Sequence, residues 1–139
     1  DILDAAIEIT GAQMGNIQLL ESDVLRITAQ RGFERPFLEF FAAVHGEQSA
    51  CGAALQRGER VIVEDIDTHP NWVDFKAMAL DRGLRACWST PIFSPGRKVL
   101  GTFAMYYRVP RGPSPQEIAW VDAATHLAAI ALCRAESLA

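Results

Sequence analysis

Seven side chains that could do chemistry fall between positions 51 and 88 of this chain. Thiols can attack electrophiles or form disulfides, carboxylates and an imidazole can move protons or bind metals, and indoles can stack on a flat ligand. No other part of the sequence carries such a concentration of these groups, so we expect the functional site here. The seven are Cys51, Asp65, Asp67, His69, Trp72, Cys87 and Trp88.

Spacing limits what that chemistry can be. The chain has three cysteines, none at Cys-x-x-Cys spacing, and three histidines that are far apart. A disulfide framework needs paired cysteines, and a zinc site normally shows its ligands in close sequence pairs. The sequence therefore predicts reduced cysteines and no metal site, as expected of a cytoplasmic protein.

Composition predicts one domain over residues 1–139, since half of the 139 residues are hydrophobic, which is enough for one substantial core. The net charge is −4 without a basic run, which excludes a nucleic-acid interface and attraction to an anionic membrane. The apolar runs are too short for membrane insertion. The chain starts with Asp1 inside a helix-like pattern, so we expect it to be excised from a longer protein.

The elements that must position these side chains follow from hydrophobic periodicity. Their order predicts an α+β domain around a central antiparallel sheet of five or six strands, with the terminal helices on one face and residues 32–83 covering the other. In the first hairpin, Ile17 and Leu19 are expected on the buried side. Pro95 and Gly96 in the last hairpin predict a type II turn with a positive φ at Gly96. The expected helices are 1–10, 35–44, 51–56, 73–82 and the segment from 115 onward, and the expected strands are 15–20, 25–30, 60–63, 84–93 and 99–107.

The last helix has the strongest start signal and two apolar stripes. Ser114, Pro115 and Glu117 form a capping box with proline at the first helical position. A helix resting on the sheet of a monomer needs one apolar stripe, so the second predicts either a partner helix or burial in a groove beside the first helix. One stripe holds Ile118, Val121, Thr125, Ala128 and Leu132, and the other directions hold Trp120, Ala123, Leu127, Ile130 and Ala131.

The order of several segments resembles a GAF domain, and the resemblance covers nearly the whole chain. It is strongest to GAF modules of bacterial sensor histidine kinases and cyclic-di-GMP signalling proteins. It implies a PAS-related sheet whose terminal helices often pair between subunits, with a ligand pocket on the opposite side. The segments are Met14-Gly-Asn-Ile-Gln-Leu-Leu, Gly32-Phe33, Ser49-Ala-Cys-Gly, Val61-Ile-Val-Glu-Asp-Ile, Leu84-Arg-Ala-Cys-Trp-Ser-Thr-Pro-Ile and Val99-Leu-Gly-Thr-Phe-Ala-Met-Tyr-Tyr.

The resemblance implies a non-catalytic sensory module that binds a small molecule, forms a homodimer through its terminal helices and is covalently linked to an output domain. Each pocket candidate also has a structural interpretation, as a core aromatic, a turn-forming aspartate or a small buried cysteine. The pocket candidates are Cys51, Asp65, Trp72, Phe75, Trp88, Thr90 and Tyr106. The candidates for the dimer interface are Ile2, Ala6, Ile118, Val121, Thr125, Ala128 and Leu132.

The ligand itself stays open, although two classes are disfavoured. Cyclic-nucleotide-binding GAF domains carry an Asn-Lys…Phe…Asp-Glu signature that has no counterpart here. Members that bind a bilin anchor it on a cysteine that is commonly followed by histidine, whereas Cys51, Cys87 and Cys133 are followed by glycine, tryptophan and arginine. We therefore expect neither a cyclic nucleotide nor a tetrapyrrole.

Two other functions stay open beside the sensory one. Free methionine-R-sulfoxide reductases are single GAF domains, and Ala50-Cys51-Gly52 and Glu64-Asp65-Ile66 resemble their segments. Their catalytic cysteine lies in the loop after the aspartate-bearing strand, but residues 67–75 contain no cysteine, and Cys87 lies in the following strand. A ligand-free dimerising spacer would instead fill the pocket with its own aromatic side chains, Phe37, Phe40, Phe41, Trp72 and Trp88.

Overall fold

The computed structural model describes residues 2–21, 24–32, 50–68 and 73–138, together with positions 35 and 38. The helix expected over 35–44 lies outside the described residues apart from those two positions. None of the described helices is long and apolar enough to cross a bilayer. The elements are α1 (Ile2–Thr10), β1 (Met14–Glu21), β2 (Val24–Arg31), α2 (Ala50–Arg57), β3 (Val61–Val63), α3 (Val73–Asp81), β4 (Ala86–Phe93), β5 (Val99–Tyr107) and α4 (Pro115–Leu138).

The strands of the described part of the chain form one five-stranded sheet in the order β2-β1-β5-β4-β3. Every neighbouring pair is antiparallel. This confirms the predicted α+β fold with a central antiparallel sheet. Gly101 of β5 lies where β1 approaches closely, because a Cβ at this position would stand 2.0 Å from the backbone oxygen of Gln18.

Alternate residues of the sheet point to two covered faces. We call the face under α1 and α4 the helix face; its core includes Leu3, Val121 and the strand residues Trp88, Phe103 and Tyr107. We call the opposite face, under α2 and α3, the cap face. Its core includes Cys51, Ala53, Ala79, Cys87, Ala104 and Tyr106. The two faces confirm the predicted layering, with the terminal helices on one side and the middle of the chain on the other.

Two local predictions have different outcomes. The capping box is confirmed: the Glu117 amide donates to Ser114 Oγ at 3.1 Å, and the Ser114 amide donates to Glu117 Oε1 at 3.0 Å. The predicted type II turn is wrong, because the positive φ, 66°, belongs to Arg97 and not to Gly96. The amide of Ser94 donates to the Lys98 carbonyl at 2.8 Å, which closes a three-residue loop that ends in a left-handed residue.

Candidate functional site

The cap face carries a group of fully buried polar side chains that we call the polar floor. They come from the three central strands, where the register places Gln18 opposite Thr102, and both Asn16 and Ser89 opposite Ala104. All are 0 % exposed, at positions where a sheet core normally holds apolar residues. The polar floor consists of Asn16, Gln18, Ser89, Thr102 and Tyr106.

Cys51 stands over the polar floor. This residue of α2 is fully buried, and its thiol interacts with the side chains of Ser89, Thr102, Tyr106 and Gln18. In the strand register these four side chains surround Ala104. Because the Ala104 side chain is only a methyl group, it leaves room above it for the Cys51 sulfur. Burial raises the pKa of the Cys51 thiol, and the neighbouring polar groups only partly oppose this.

A second thiol and a phenol share this environment. Burial, together with the neighbouring Cys51, raises the pKa of Cys87 well above its ordinary value. Burial, followed by the two thiols, likewise raises the pKa of Tyr106 well above its ordinary value. All three groups are therefore neutral at physiological pH, and the cysteines lack the lowered pKa that makes a thiol reactive.

Several floor atoms have no regular hydrogen bond in the part of the chain that the structure describes. Gln18 Nε2 donates to Asn16 Oδ1 at 3.3 Å, which leaves Asn16 Nδ2 and Gln18 Oε1 without partners. The Ser89 and Thr102 hydroxyls make no regular hydrogen bond either, and the thiol beside them is a weak partner. A buried unpaired polar atom costs about 1–3 kcal/mol, so packing alone does not explain this group.

The sequence analysis missed most of the polar floor because it expected one solvated face on β1. With Ile17 and Leu19 expected on the buried side, Asn16 and Gln18 would have pointed to solvent. They are instead fully buried, while Ile17 and Leu19 are only partly buried. The reason is that β1 lies inside the sheet and is covered on both faces. The available signal was Ser89 and Thr102, two small polar residues within otherwise apolar strands.

Of the predicted pocket residues, the structure brings Cys51 and Tyr106 together on the cap face. Asp65 lies in the loop after β3, where its carboxylate accepts from Arg85 Nη2 at 3.1 Å and from the Asp67 amide at 3.0 Å. This is the turn-forming arrangement, held by an ion pair. Trp72 lies outside the described residues, and the same holds for the side chain of Phe75.

The placement of Trp88 and Thr90 corrects their grouping with Cys51. Both lie on the helix face, because alternate residues of β4 point to opposite sides and Cys87 faces the cap. Trp88 is 1 % exposed and donates from Nε1 to the Arg111 carbonyl at 2.9 Å. Thr90 Oγ1 accepts a hydrogen bond from Arg60 Nε at 3.1 Å.

The spacer hypothesis predicted that five aromatic side chains would fill the pocket on the cap face. Trp88 belongs to the helix face and so does not fill the cap side. The remaining four, Phe37, Phe40, Phe41 and Trp72, lie outside the described residues.

The residues assigned to a dimer interface also need correction, because their stripe faces the sheet. Ala6, Val121, Thr125 and Ala128 are each at most 8 % exposed. Leu132 packs against the same helix-face core, Ile118 is half-buried, and the Ile2 side chain lies outside the described residues. A stripe used inside the domain is not available to a partner.

The other apolar stripe of α4 is the exposed one. Trp120, Leu127 and Ile130 are 41 %, 53 % and 49 % exposed, and Ile9 of α1 is 50 % exposed. Between the two helices lies an apolar groove of about 450 Å³, lined by Ala5, Ala6, Ile9, Thr10, Trp120, Val121, Ala123, Ala124 and Leu127.

Arg111, which the sequence analysis did not single out, joins the loop after β3 to both terminal helices. Its amide donates to the Glu64 carbonyl at 2.8 Å and its Nη1 to the Thr10 carbonyl at 2.7 Å. Its guanidinium pairs with Glu117 and lies 4.7 Å from the ring centroid of Tyr107. One side chain thus holds the end of α1, the start of α4 and the aromatic core of the helix face.

No group of three or more histidine, cysteine or acidic side chains among the described residues could hold a metal ion. In the described part of the chain, the polar floor and the two buried thiols offer hydrogen bonding by neutral groups.

Comparison with known proteins gives the family. A model of the GAF domain matches residues 1–132. The chain belongs to the GAF domain family. This GAF domain is 38 % identical over 89 residues to a methyl sulfide methyltransferase-associated sensor from the archaeon Methanosarcina acetivorans. That match covers 64 % of this chain and spans only 9 % of the relative, which is much longer.

Solved structures share the fold. A domain of a two-component sensor histidine kinase protein from Sinorhizobium meliloti superposes with a TM-score of 0.80 at 20 % identity, covering 96 % of this chain and 86 % of that one. Free methionine-R-sulfoxide reductase from Neisseria meningitidis, in complex with its substrate, gives 0.68 at 17 % identity, with 93 % and 76 % covered. At these identities the likeness shows the fold alone.

Proposed function

We propose that this GAF domain is a non-catalytic sensory module of a signal-transduction protein and binds a small molecule at the polar floor. The observation that carries the proposal is that Asn16 Nδ2, Gln18 Oε1 and the Ser89 and Thr102 hydroxyls are buried beneath Cys51 without a regular hydrogen bond in the described part of the chain. Buried polar groups in a folded protein normally have partners, and a bound molecule would supply them. The sensor named among the relatives supports the same role.

Arg111 offers a route from the cap side to the terminal helices. β3 pairs with β4 next to Cys87, and the loop that follows β3 is bound to Arg111 through Glu64. A ligand can shift the packing of α1 and α4 only if it binds one arrangement of the domain better than another. The Arg111 contacts are where such a preference would reach both helices.

The exposed stripe of α4 supports a homodimer, on different residues from those first assigned. Replacing Trp120 or Leu127 by glutamate should dissociate the dimer, since both side chains are exposed and apolar. His126→Glu, on an exposed position of the same helix, serves as the control. Light scattering on the eluting protein measures the mass, and a dimer unaffected by Trp120→Glu would exclude this surface.

The much greater length of the archaeal sensor supports a covalently linked output domain. A sensor histidine kinase or a cyclic-di-GMP cyclase or phosphodiesterase in the cytoplasm is the parent protein that we propose. The fold likeness to a sensor histidine kinase domain agrees with this but does not choose between them.

The alternative is a methionine sulfoxide reductase, favoured by the shared fold of the Neisseria enzyme. Its chemistry needs a thiolate to attack the sulfoxide sulfur. Cys51 and Cys87 are fully buried thiols with raised pKa values, which opposes that role. Turnover of free methionine-R-sulfoxide, measured with thioredoxin and NADPH, should be absent, and any turnover that Cys51→Ala abolishes would contradict the sensory proposal.

Native mass spectrometry of the freshly purified domain tests ligand binding. We expect a fraction of the protein to carry extra mass that collisional activation releases as one small molecule. A metabolite library tested by thermal shift is the second readout, since a ligand that binds the native state must raise its stability. Protein without extra mass, together with a flat screen, would favour the spacer and refute the proposal.

A further inference from the structure

If a ligand binds at the polar floor, as the proposed function states, the two floor amides define which hydrogen-bonding groups it must carry. Gln18 Nε2 donates to Asn16 Oδ1, and neither Asn16 Nδ2 nor Gln18 Oε1 has a partner among the described residues, so the pair leaves one donor nitrogen and one acceptor oxygen open. We infer that the ligand is a neutral molecule carrying a hydrogen-bond acceptor next to a donor, as in a carboxamide, a lactam or the edge of a nucleobase.

This requirement does not depend on how the two amides are oriented. The oxygen and nitrogen of an amide are assigned from the hydrogen-bond network, and both amides could be turned over together. Asn16 Nδ2 would then donate to Gln18 Oε1, leaving Asn16 Oδ1 as the acceptor and Gln18 Nε2 as the donor. One donor and one acceptor remain free in either case, and the same kind of ligand pairs with them.

The surroundings of the floor favour a neutral ligand. Among the described residues, the buried polar side chains around Cys51 are all uncharged. The buried charged residue of the described part is Glu117, which lies at the start of α4 and pairs with Arg111. An ion placed on the floor would lose its hydration without meeting an opposite charge, and that penalty is large in a buried site. Ser89 and Thr102 hydroxyls can donate or accept, which suits a neutral ligand as well.

The ligand must take the place of Cys51, because the sulfur lies against four of the five floor residues. The fully buried residues of α2 in this core are small, Cys51, Ala53 and Ala54, and Leu55 packs beside them while partly buried. Moving small side chains from the floor gives up little buried area, while the ligand pairs atoms that are unpaired without it. Binding by displacement of α2 is therefore compatible with the closed arrangement of the structure.

Two matched pairs of probes test the inference by thermal shift of the full chain. Nicotinamide and nicotinate differ in having a carboxamide or a carboxylate on the same ring. Uracil and orotate share the same donor–acceptor edge, but orotate adds a carboxylate. We expect nicotinamide or uracil to raise Tm by about 2 °C or more at millimolar concentration, and neither charged partner to do so.

Variants decide whether the shift comes from the floor. Gln18→Met removes the acceptor while keeping the side-chain length. We expect it to lower the affinity for the neutral probe about tenfold or more. Gln116→Met, the same change at an exposed position of α4, should leave binding unchanged. If Gln18→Met does not fold, Asn16→Ala provides the same comparison.

The outcomes separate this inference from the proposed function. A shift given only by nicotinate or orotate, or one that Gln18→Met and Asn16→Ala leave unchanged, overturns the neutral class while a ligand-binding sensor stands. No shift with any of the four probes also overturns it. The sensory function falls only if native mass spectrometry finds no bound molecule and the wider library is flat as well.

Discussion

The two faces of the sheet differ in whether their buried polar groups have hydrogen-bond partners. On the helix face, Thr10 Oγ1 donates to the Ala6 carbonyl at 2.6 Å, and Tyr107 Oη donates to the Thr10 carbonyl at 3.1 Å. Trp88 Nε1 and the Glu117 carboxylate are paired too, with Arg111. On the cap face, Asn16 Nδ2, Gln18 Oε1 and the Ser89 and Thr102 hydroxyls are buried without a regular hydrogen bond in the described part of the chain.

The side chains on the two faces differ in size as well. Among the described residues, three of the four largest fully buried side chains, Trp88, Tyr107 and Phe103, lie on the helix face, and the fourth, Tyr106, lies on the cap face. The cap-face helix α2 presents cysteine and alanine to the sheet. The comparison indicates that the helix face supplies stability, whereas the buried polar atoms of the cap face cost folding free energy, which the proposed ligand would offset. Four predictions test this contrast.

The largest effect is expected from Trp88→Ala. The change leaves a cavity in the helix-face core and removes the hydrogen bond to the Arg111 carbonyl, so it should lower the free energy of unfolding by about 3–5 kcal/mol. Trp120→Ala is the matched control, because Trp120 is 41 % exposed and should cost less than about 1 kcal/mol in the monomer. Urea unfolding measures both, and equal losses would contradict the assignment of Trp88 to the core.

Alkaline pH should destabilise the domain through the cap face. The ordinary pKa of the two thiols is 9.0, and burial raises it in the folded state. Above about pH 9 the unfolded chain loses these protons and the folded chain keeps them, so stability is full below this pH and falls as pH rises. Each thiol should contribute a slope approaching about 1.4 kcal/mol per pH unit.

Urea unfolding between pH 8 and pH 10 checks this prediction. Cys87→Ala should reduce the slope of unfolding free energy against pH by the contribution of one thiol. A slope unchanged by Cys87→Ala would show that the thiol is not protected from ionisation in the folded state.

Arg111→Met should lower the free energy of unfolding by about 2 kcal/mol, because Glu117 loses its ion pair and the Thr10 carbonyl loses one of its two hydrogen-bond donors. Arg31→Met removes an ion pair with Asp4 in which both side chains are about half exposed, and should cost at most about 1 kcal/mol. Chemical unfolding at low salt compares the two. If Arg111→Met were as mild as Arg31→Met, Arg111 would not hold the helix face together.

The smallest expected changes in stability discriminate best, because their sign should differ between the two faces. Thr102→Val removes, at nearly constant shape, a buried hydroxyl that makes no regular hydrogen bond among the described residues and has only the weak Cys51 thiol beside it, so it should raise stability by about 1 kcal/mol. Thr10→Val removes a hydroxyl that is hydrogen-bonded on the helix face and should lower stability by about 1 kcal/mol. Thermal unfolding of both variants gives the signs, and two losses would remove the contrast between the faces.

Much of the fold followed from patterns along the chain. The apolar spacing of residues 1–10, the two hairpins and the capping box at Ser114 and Glu117 gave the order of the elements, and that order gave the antiparallel sheet. The type II turn failed because the loop was closed by a left-handed Arg97, a conformation that arginine rarely adopts. The dimer stripe on α4 was misassigned because two stripes were apolar, and the sequence does not say which one faces the sheet.

The candidate site was less predictable. Cys51 was singled out from its side-chain chemistry and Tyr106 as a pocket candidate after the family resemblance, but Trp88 was placed on the wrong face. An alternating pattern shows which residues of a strand share a side, and it does not show whether one or both sides are covered. Because β1, β4 and β5 are covered on both, polar residues that looked solvated, such as Asn16 and Gln18, became the floor of the site.

The sequence by itself determined the sequence of helices and strands, their antiparallel pairing and the resemblance to the GAF family, since these depend on short-range periodicity and local motifs. Only the tertiary structure decided which polar groups are buried without partners and that Arg111 joins both terminal helices to the loop after β3. Those properties depend on contacts between residues far apart in the chain, such as Arg111 with Thr10 and Cys51 with Gln18. No local pattern encodes such distances.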